Sequence, residues 1–171
     1  LNKIDREHDR QSCLEQLQRS STGMTPMLLQ IPLRDDLGCV VGVMDLLTQQ
    51  AFRYHENGSG HYSAEPIPTR HMPEFVACRE RAIECVALTS DPLLEQYLEF
   101  LTLDDDVFLA GLAEAFHKRK ILPVFLMAAE RGIGSISVLN FIQSVFPSPT
   151  MPSQVQEGDS AGGLATILST G

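Results

Sequence analysis

Leu1-Asn2-Lys3-Ile4-Asp5 is the stretch on which the reading of this chain turns. Asn-Lys-x-Asp places an amide, a long cation and a carboxylate within four residues, and together they match one edge of one base. The Watson–Crick edge of guanine offers two donors, N1–H and the exocyclic amine. An ionised carboxylate such as Asp5 accepts both in a fork, and charge-assisted hydrogen bonds of this kind are the strong ones. Adenine has a lone pair at N1 and no amine at C2. A site built around such donors rejects the analogue lacking them by ~10⁴ or more. Asn2 carries an amide that can reach the base N7 and tie neighbouring loops together. Lys3 can lay its apolar stem along base and sugar while its ammonium stays in water. The same residues fit a plainer reading, a strand end entering a helix N-capped by Asp5, with Arg6, Glu7 and His8 in its first turn. The rest of the chain decides between them.

The 171 residues suffice for one ordinary domain or one domain with an insertion. A hydrophobic content of 43% and a charged content of 20% are those of a folded globular chain and exclude wholesale disorder. No apolar run approaches ~18 residues, so no membrane span is expected. The formal charge of −9 argues against a broad basic face gripping nucleic-acid phosphates, and no direct nucleic-acid contact is expected. Cys13, Cys39, Cys78 and Cys85 form no C-x-x-C pair, and they read as free thiols in a reducing compartment. No metal site is expected within the chain. The motif opens the sequence, with no initiator Met before it and no phosphate loop or magnesium ligands upstream. The chain is therefore expected to be an internal fragment of a larger protein.

Read in order, residues 6–20 predict a helix with Cys13, Leu14 and Leu17 on its apolar side, ended near Gly23. Met24–Leu33 predicts a strand. Cys39–Leu46, Gln50–His55 and His61–Ile67 predict three more, joined by short turns that include Asn57-Gly58-Ser59-Gly60. Strands so joined imply an antiparallel meander. Three helices follow. The first starts near Pro73 with Phe75, Val76, Ala82, Ile83, Val86 and Ala87 on one stripe. The second opens at Asp91-Pro92. The third opens at Thr102-Leu103-Asp104-Asp105, which resembles a capping box, and runs to about His117. Ile121–Leu126 is a continuous apolar run of the kind found in buried strands. A loop at Met127-Ala128-Ala129 leads into a helix over Ile133–Val145, with Ile136, Leu139, Ile142 and Val145 expected inside. From Thr150 on, Pro, Ser and Gly predict a linker with at most a short strand at Leu164–Leu168.

These stretches, in this order, resemble the elongation factor G family of translational GTPases over roughly residues 1 to 149. Asn2-Lys3-Ile4-Asp5-Arg6 resembles the family's Asn-Lys-x-Asp-Arg. Leu29-Gln30-Ile31-Pro32-Leu33 is similar to its Leu-Gln-Leu-Pro-Ile, and Gly42-Val43-Met44-Asp45-Leu46 to its Gly-Val-Val-Asp-Leu. Glu65-Pro66-Ile67-Pro68 matches its Glu-x-Ile-Pro. Leu94-Glu95-Gln96-Tyr97-Leu98, Ile121-Leu122-Pro123-Val124 and Phe146-Pro147-Ser148-Pro149 resemble its Met-Glu-Lys-Tyr-Leu, Ile-Val-Pro-Val and Leu-Pro-Ser-Pro. Each match is weak alone; the ordered set is specific. Peptide-chain release factor 3 shares the guanine motif and a comparable insertion, but the stretches at Leu94–Leu98 and Phe146–Pro149 favour elongation factor G.

The resemblance implies an α/β fold: the C-terminal half of a P-loop GTPase G domain, interrupted by an inserted α+β subdomain with a four-stranded antiparallel sheet and three helices. Residues 1–33 and 120–149 would be the partial G domain and 34–119 the insertion, called the G′ subdomain. Residues 150–171 would lead into a β-barrel second domain. Asn2, Lys3, Asp5, Ala128 and Ala129 would bind GTP or GDP, with the Ala129 N–H directed at the base O6. The Mg²⁺ ligands and every catalytic residue would lie outside this chain. Ala128 stands where the family has the Ser of Gly-Ser-Ala, and Met127 where it has the Gly, so weakened guanine binding or an altered loop is expected. The parent would be a cytoplasmic, ribosome-dependent GTPase of translocation, contacting the large-subunit stalk protein through the exposed face of the helix from Pro73 to Leu88. The alternative in a different class is a stand-alone ribosome-interaction module that binds no nucleotide.

Overall fold

A computed structural model describes residues 1–5, 10–21, 23–55 and 60–146. The turn expected at Asn57–Gly60 falls largely outside them, as do the start of the first helix, Pro147-Ser148-Pro149 and the tail beyond. The described residues form a mixed α/β fold with two sheets. One is a parallel pair, β1 (Thr25–Leu28) with β6 (Ile121–Val124). The other is an antiparallel meander of β2 (Gln30–Arg34), β3 (Val40–Asp45), β4 (Gln50–Tyr54) and β5 (Tyr62–Glu65), in that order. Helix α1 (Arg10–Ser20) precedes β1. Helices α2 (Met72–Ala87), α3 (Asp91–Phe100) and α4 (Asp105–His117) link β5 to β6, and α5 (Ser135–Val145) closes the described chain.

The run Met24–Leu33, expected as one strand, is two. Leu29 is the switch: its N–H donates to Val124 C=O at 3.0 Å, and its C=O accepts from Leu46 N–H at 3.0 Å. The chain thus leaves the parallel pair and enters the antiparallel sheet within one fully buried residue. Pro32 is tolerated in β2 because β2 is an edge strand of its sheet, where a missing N–H costs no ladder bond. Gly42 is required in β3. A Cβ there would lie 2.1 Å from Phe52 C=O on β4. The β3–β4 turn is anchored by buried Asp45, whose Oδ1 accepts from the N–H groups of Leu47 and Thr48, each at 2.9 Å.

Helices α2 and α4 bury their apolar stripes against β1 and β6, whereas α3 has no buried residue and packs on α2. Phe75, Ala82, Ile83, Val86 and Ala87 of α2 are buried, and full burial of a large apolar side chain contributes roughly 1.5–3 kcal/mol. Val76, expected on that stripe, is 43% exposed. It lies about 100° round the helix from Phe75, past the edge of the inward face. The α4 start also differs from expectation. Asp104 is the N-cap residue and makes no side-chain cap bond. The Asp105 carboxylate instead pairs with Arg79 of α2 and accepts from Gln49 Nε2 at 2.8 Å, so it joins the helix pair to the β3–β4 turn. Arg79 also lies over the Phe108 ring, 5.3 Å from its centroid. On α5, Ser137, Phe141 and Val145 face inward at helical spacing, while Leu139 and Ile142 are exposed. The apolar series Ile136, Leu139, Ile142 drifts round the helix away from the contact face, and Phe141 takes the inward position.

The helices and strands of residues 30–117 do not pack as a unit of their own. One continuous core joins Met27, Leu29, Ile121, Phe141 and Val145 to Leu33, Met44, Phe75, Ile83, Phe108 and Leu112. Helix α2 lies against β1, and α4 against β6, so apolar surface is shared across the expected boundary.

Candidate guanine-reading site

Residues 1–5 form no regular strand, but Leu1 lies at the end of the parallel pair of β1 and β6. They continue that sheet by a shorter contact. The Leu1 amino group donates to Phe125 C=O at 2.7 Å, and Met127 N–H donates to Leu1 C=O at 2.8 Å. This slanted pattern is that of a parallel ladder with Leu1 opposite Leu126. Ile4 N–H then donates to Met127 C=O at 3.1 Å, which brings the motif alongside the loop that follows β6.

The two loops are tied by one side chain. Asn2 Oδ1 accepts from Lys3 N–H at 2.8 Å and from Ala129 N–H at 3.1 Å. Direct contact places the loops far inside the ~15 Å that four to five extended residues would span. Lys3 has a φ of 63°, a left-handed conformation that costs a non-glycine residue about 1–2 kcal/mol. Lys3, Asp5 and Ala129 are each exposed. The Asn2 amide and the Ala129 backbone N–H meet at an exposed surface, in the same stretch as the exposed Lys3 and Asp5. The Ala129 N–H, expected to face the base, donates to Asn2 here.

Ala128 has another role in this geometry. It is buried, its N–H donates to Ile133 C=O at 3.1 Å, and its C=O accepts from Ile133 N–H at 3.2 Å and Arg131 N–H at 2.9 Å. Both backbone groups are engaged within the loop, and a methyl fills the space beneath it. Met127 has an ordinary negative φ; the positive φ values of this loop fall at Gly132 (68°) and Gly134 (87°). The glycine missing at Met127 is thus not needed for the backbone path.

The loop sits on the meander sheet. Val40, Val43, Phe52 and Tyr54 form a small second core with Ala128 and Ile133, and Ile4 and Ile136 pack against it. Arg131 Nη1 donates to Val40 C=O at 2.9 Å. Gln30, fully buried at the start of β2, accepts from Leu126 N–H through Oε1 at 2.7 Å and donates to Gly134 C=O through Nε2 at 3.4 Å. Gly134 has no room for a side chain, since a Cβ would lie 2.1 Å from Leu126 C=O. Tyr54 Oη is buried without a hydrogen-bond partner of good geometry. Burial raises its pKa, opposed by the backbone of Ile136 and Gly134 and by Ser135, while Tyr62 adds to the rise. Sequence reasoning passed over Gln30, Tyr54 and Arg131 as site-shaping residues. The available signal was a lone amide inside the apolar run Leu29-Gln30-Ile31. No cluster of three or more His, Cys, Asp or Glu side chains suited to a metal occurs among the described residues, so a magnesium ion finds no such set there.

No family model matches the chain. Among curated proteins, elongation factor G 1 of Syntrophus aciditrophicus (strain SB) is 26% identical over 149 residues, 87% of this chain and 21% of that protein. Elongation factor G 2 of Geobacter metallireducens is 30% identical over 151 residues, 87% of this chain and 22% of that protein. The chain is a relative of elongation factor G. Elongation factor G 1 of Treponema pallidum (strain Nichols) adds 30% identity over 152 residues, 88% of this chain and 21% of its own length. The chain therefore spans about one fifth of the length of the elongation factor G relatives it matches. Among solved structures, the crystal structure of a Thermus thermophilus protein matches with a TM-score of 0.70 at 27% identity, over 86% of this chain and 22% of that one. The mixed α/β fold with its four-stranded antiparallel sheet agrees with part of a G domain carrying an insertion. No helix among the described residues is long and apolar enough to cross a membrane.

Proposed function

We propose that this chain is the base-reading part of a translational GTPase similar to elongation factor G, acting on the ribosome in translocation. The observation that carries the reading is the Asn2 Oδ1 bridge to Ala129 N–H, which joins the Asn-Lys-x-Asp stretch to the loop after β6 at one exposed surface. Asp5 accepts the two donors of the guanine edge, Asn2 holds the loops in register, Lys3 covers the base, and Ala129 N–H turns to the base O6 as ligand arrives. Ala128 supports the loop from beneath. GTP and GDP are the ligands, and the phosphates, their Mg²⁺ and the reacting atoms belong to residues outside this chain. When bound, that metal neutralises phosphate charge. The parent is cytoplasmic. Its large-subunit stalk contact uses the outer face of α2, where Val76, Glu80, Glu84 and Leu88 are exposed. Residues 34–119 form the G′ insertion and 150–171 lead into the second domain.

Phosphate contacts at a Gly-rich loop and helix N-terminus supply much of the affinity in such sites. The chain alone is therefore expected to hydrolyse no GTP and to bind GDP with a Kd no tighter than about 1 mM, for which about 4 kcal/mol of net binding energy is needed. Nuclear magnetic resonance titration of the 171-residue chain with GDP and with ADP tests this. Shifts at Asn2, Asp5 and Ala129 are expected with GDP only. Equal responses to both nucleotides, or none to GDP at several times that concentration, overturn the guanine-reading role. Micromolar GDP affinity abolished by Asp5→Ala would instead show that the pocket is complete.

A further inference from the structure

The Gln30 side chain holds both ends of the loop that presents Ala129. Its Oε1 takes the Leu126 N–H and its Nε2 gives to the Gly134 C=O, and these are the residues between which the loop leaves β6 and enters α5. The amide is fully buried, so neither contact is shared with solvent. Gln30 also opens β2, one residue past the switch at Leu29, and its own backbone pairs with Asp45 across the antiparallel sheet. One side chain thereby fixes the base-reading loop to the sheet that precedes it in sequence by nearly a hundred residues.

We propose that Gln30 is a positioning residue for guanine recognition, and this inference rests on the guanine-reading role given above. The argument is geometric. The loop closes on itself through the Ala128–Ile133 bridge, and that bridge orients the Ala129 N–H. Closure requires Leu126 and Gly134 to lie side by side, as the contact between Gly134 and Leu126 C=O records. Of these two residues, the Leu126 N–H and the Gly134 C=O are the polar groups that Gln30 satisfies. An apolar side chain at position 30 leaves a buried donor without a partner, and the loop then gains by opening to water. An opened loop carries the Ala129 N–H away from Asn2 and from the base, while Asp5 stays in place. Guanine affinity falls without loss of the global fold.

The test uses the full chain and the variants Gln30→Met and Leu112→Ala. Leu112 is fully buried in α4, away from the loop, so its variant reports what general destabilisation alone does. Amide exchange at Leu126 and Ile133 and the GDP titration are the readouts. For Gln30→Met we expect exchange at both amides to quicken by roughly tenfold or more and GDP affinity to weaken by a similar factor, the counterpart of one lost buried hydrogen bond. Leu112→Ala is expected to lower the melting temperature while GDP affinity stays as in the parent chain. If Gln30→Met does not fold, Gln30→Glu takes its place. A carboxylate still accepts from Leu126 N–H but cannot donate to Gly134 C=O, and quicker exchange at Ile133 is expected. Unchanged exchange in the folded variant, or an equal loss of GDP affinity in Leu112→Ala, overturns the positioning role. If the unmodified chain shows no guanine-selective response, the guanine reading fails by itself. Positioning for guanine falls with it, and the exchange data then report only a clamp on the loop.

Discussion

The large core and the small one beneath the loop after β6 are built in different ways. The large core draws aliphatic and aromatic side chains from both sheets and from α2, α4 and α5, and removing water from them is enough to hold it. The small core has six buried members, and it is held in place by polar side chains that reach backbone groups: Gln30 to Leu126 and Gly134, Arg131 to Val40, Asn2 to Ala129. Packing is tolerant of geometry within a rotamer, whereas a hydrogen bond weakens steeply with angle and distance. The role proposed for this loop, presenting one N–H to one atom of a base, gains from the second kind of construction. Helices α2 and α4 need only stay packed on the sheets and are served by the first.

The largest expected effect breaks the large core and spares the distinction. Phe108 is almost fully buried, with Arg79 over its ring. Phe108→Ala is expected to lower stability by about 3–5 kcal/mol, read from urea denaturation followed by circular dichroism. A loss under about 1 kcal/mol would mean that the helical layer relaxes to fill the cavity and that the core is looser than drawn.

The second effect is smaller in energy and aimed at the loop. Gly134→Ala forces a side chain onto a residue with φ of 87° and into Leu126 C=O. Strain at such a position costs on the order of 1–3 kcal/mol. The expected signature is local: the resonances of Leu126, Ala128 and Ile133 move or broaden, while those of α2 and α4 hold. Resonance changes spread evenly over the chain would contradict the separation of the two cores.

The third prediction uses pH. Tyr54 links β4 to the start of α5, and burial, the larger influence, raises its pKa above the ordinary tyrosine value. A folded-state pKa above the unfolded one means that Tyr54 favours the folded state below about pH 10 and that this contribution is lost as pH rises through the folded value. Tyr54→Phe removes both the titration and a buried hydroxyl without a good partner. The variant should match the parent chain, or exceed it by about 1 kcal/mol, near neutral pH. It should also lose less stability than the parent above about pH 10. Parallel pH dependence in the two proteins would place the Tyr54 hydroxyl in water.

Much of the fold was legible because it follows from periodicity and turn chemistry. Short turn-bounded and β-branched runs gave the meander, and Pro73 and Asp91-Pro92 marked helix starts, whereas the close approach at Gly42 and the turn bonds of Asp45 show only in the structure. The division of Met24–Leu33 at Leu29 was not legible, because both halves are equally apolar and only tertiary pairing separates them. Val76 and Leu139 were misassigned for a related reason: the period gives a stripe, while the width of the contact face depends on what lies opposite. Of the proposed site, the Asn-Lys-x-Asp stretch could be named from four residues, and the structure joins it to the loop after β6. The supports Gln30, Tyr54 and Arg131 are single polar residues scattered over about a hundred positions, and no local spacing joins them.

The smallest expected effect on stability separates two neighbours within the motif. Asn2 is engaged in the folded chain, accepting from Lys3 and Ala129 N–H groups, whereas Asp5 lies exposed at the motif's end. If Asp5 serves a ligand, its truncation removes nothing that the fold uses. Asp5→Ala is then expected to leave the melting temperature within about a degree of the parent chain, as surface substitutions of this kind usually change stability by under ~0.5 kcal/mol. Asn2→Ala should cost slightly more, up to about 1 kcal/mol for the exposed bonds it loses, still too little to move the large core. Its effect should instead appear as faster amide exchange at Ala129, since that N–H loses its acceptor. Differential scanning calorimetry of the two variants, paired with exchange at Ala129, decides the matter. A fall in melting temperature for Asp5→Ala as large as that for Phe108→Ala would show that the fold itself depends on Asp5, and the ligand role proposed for its carboxylate would fall.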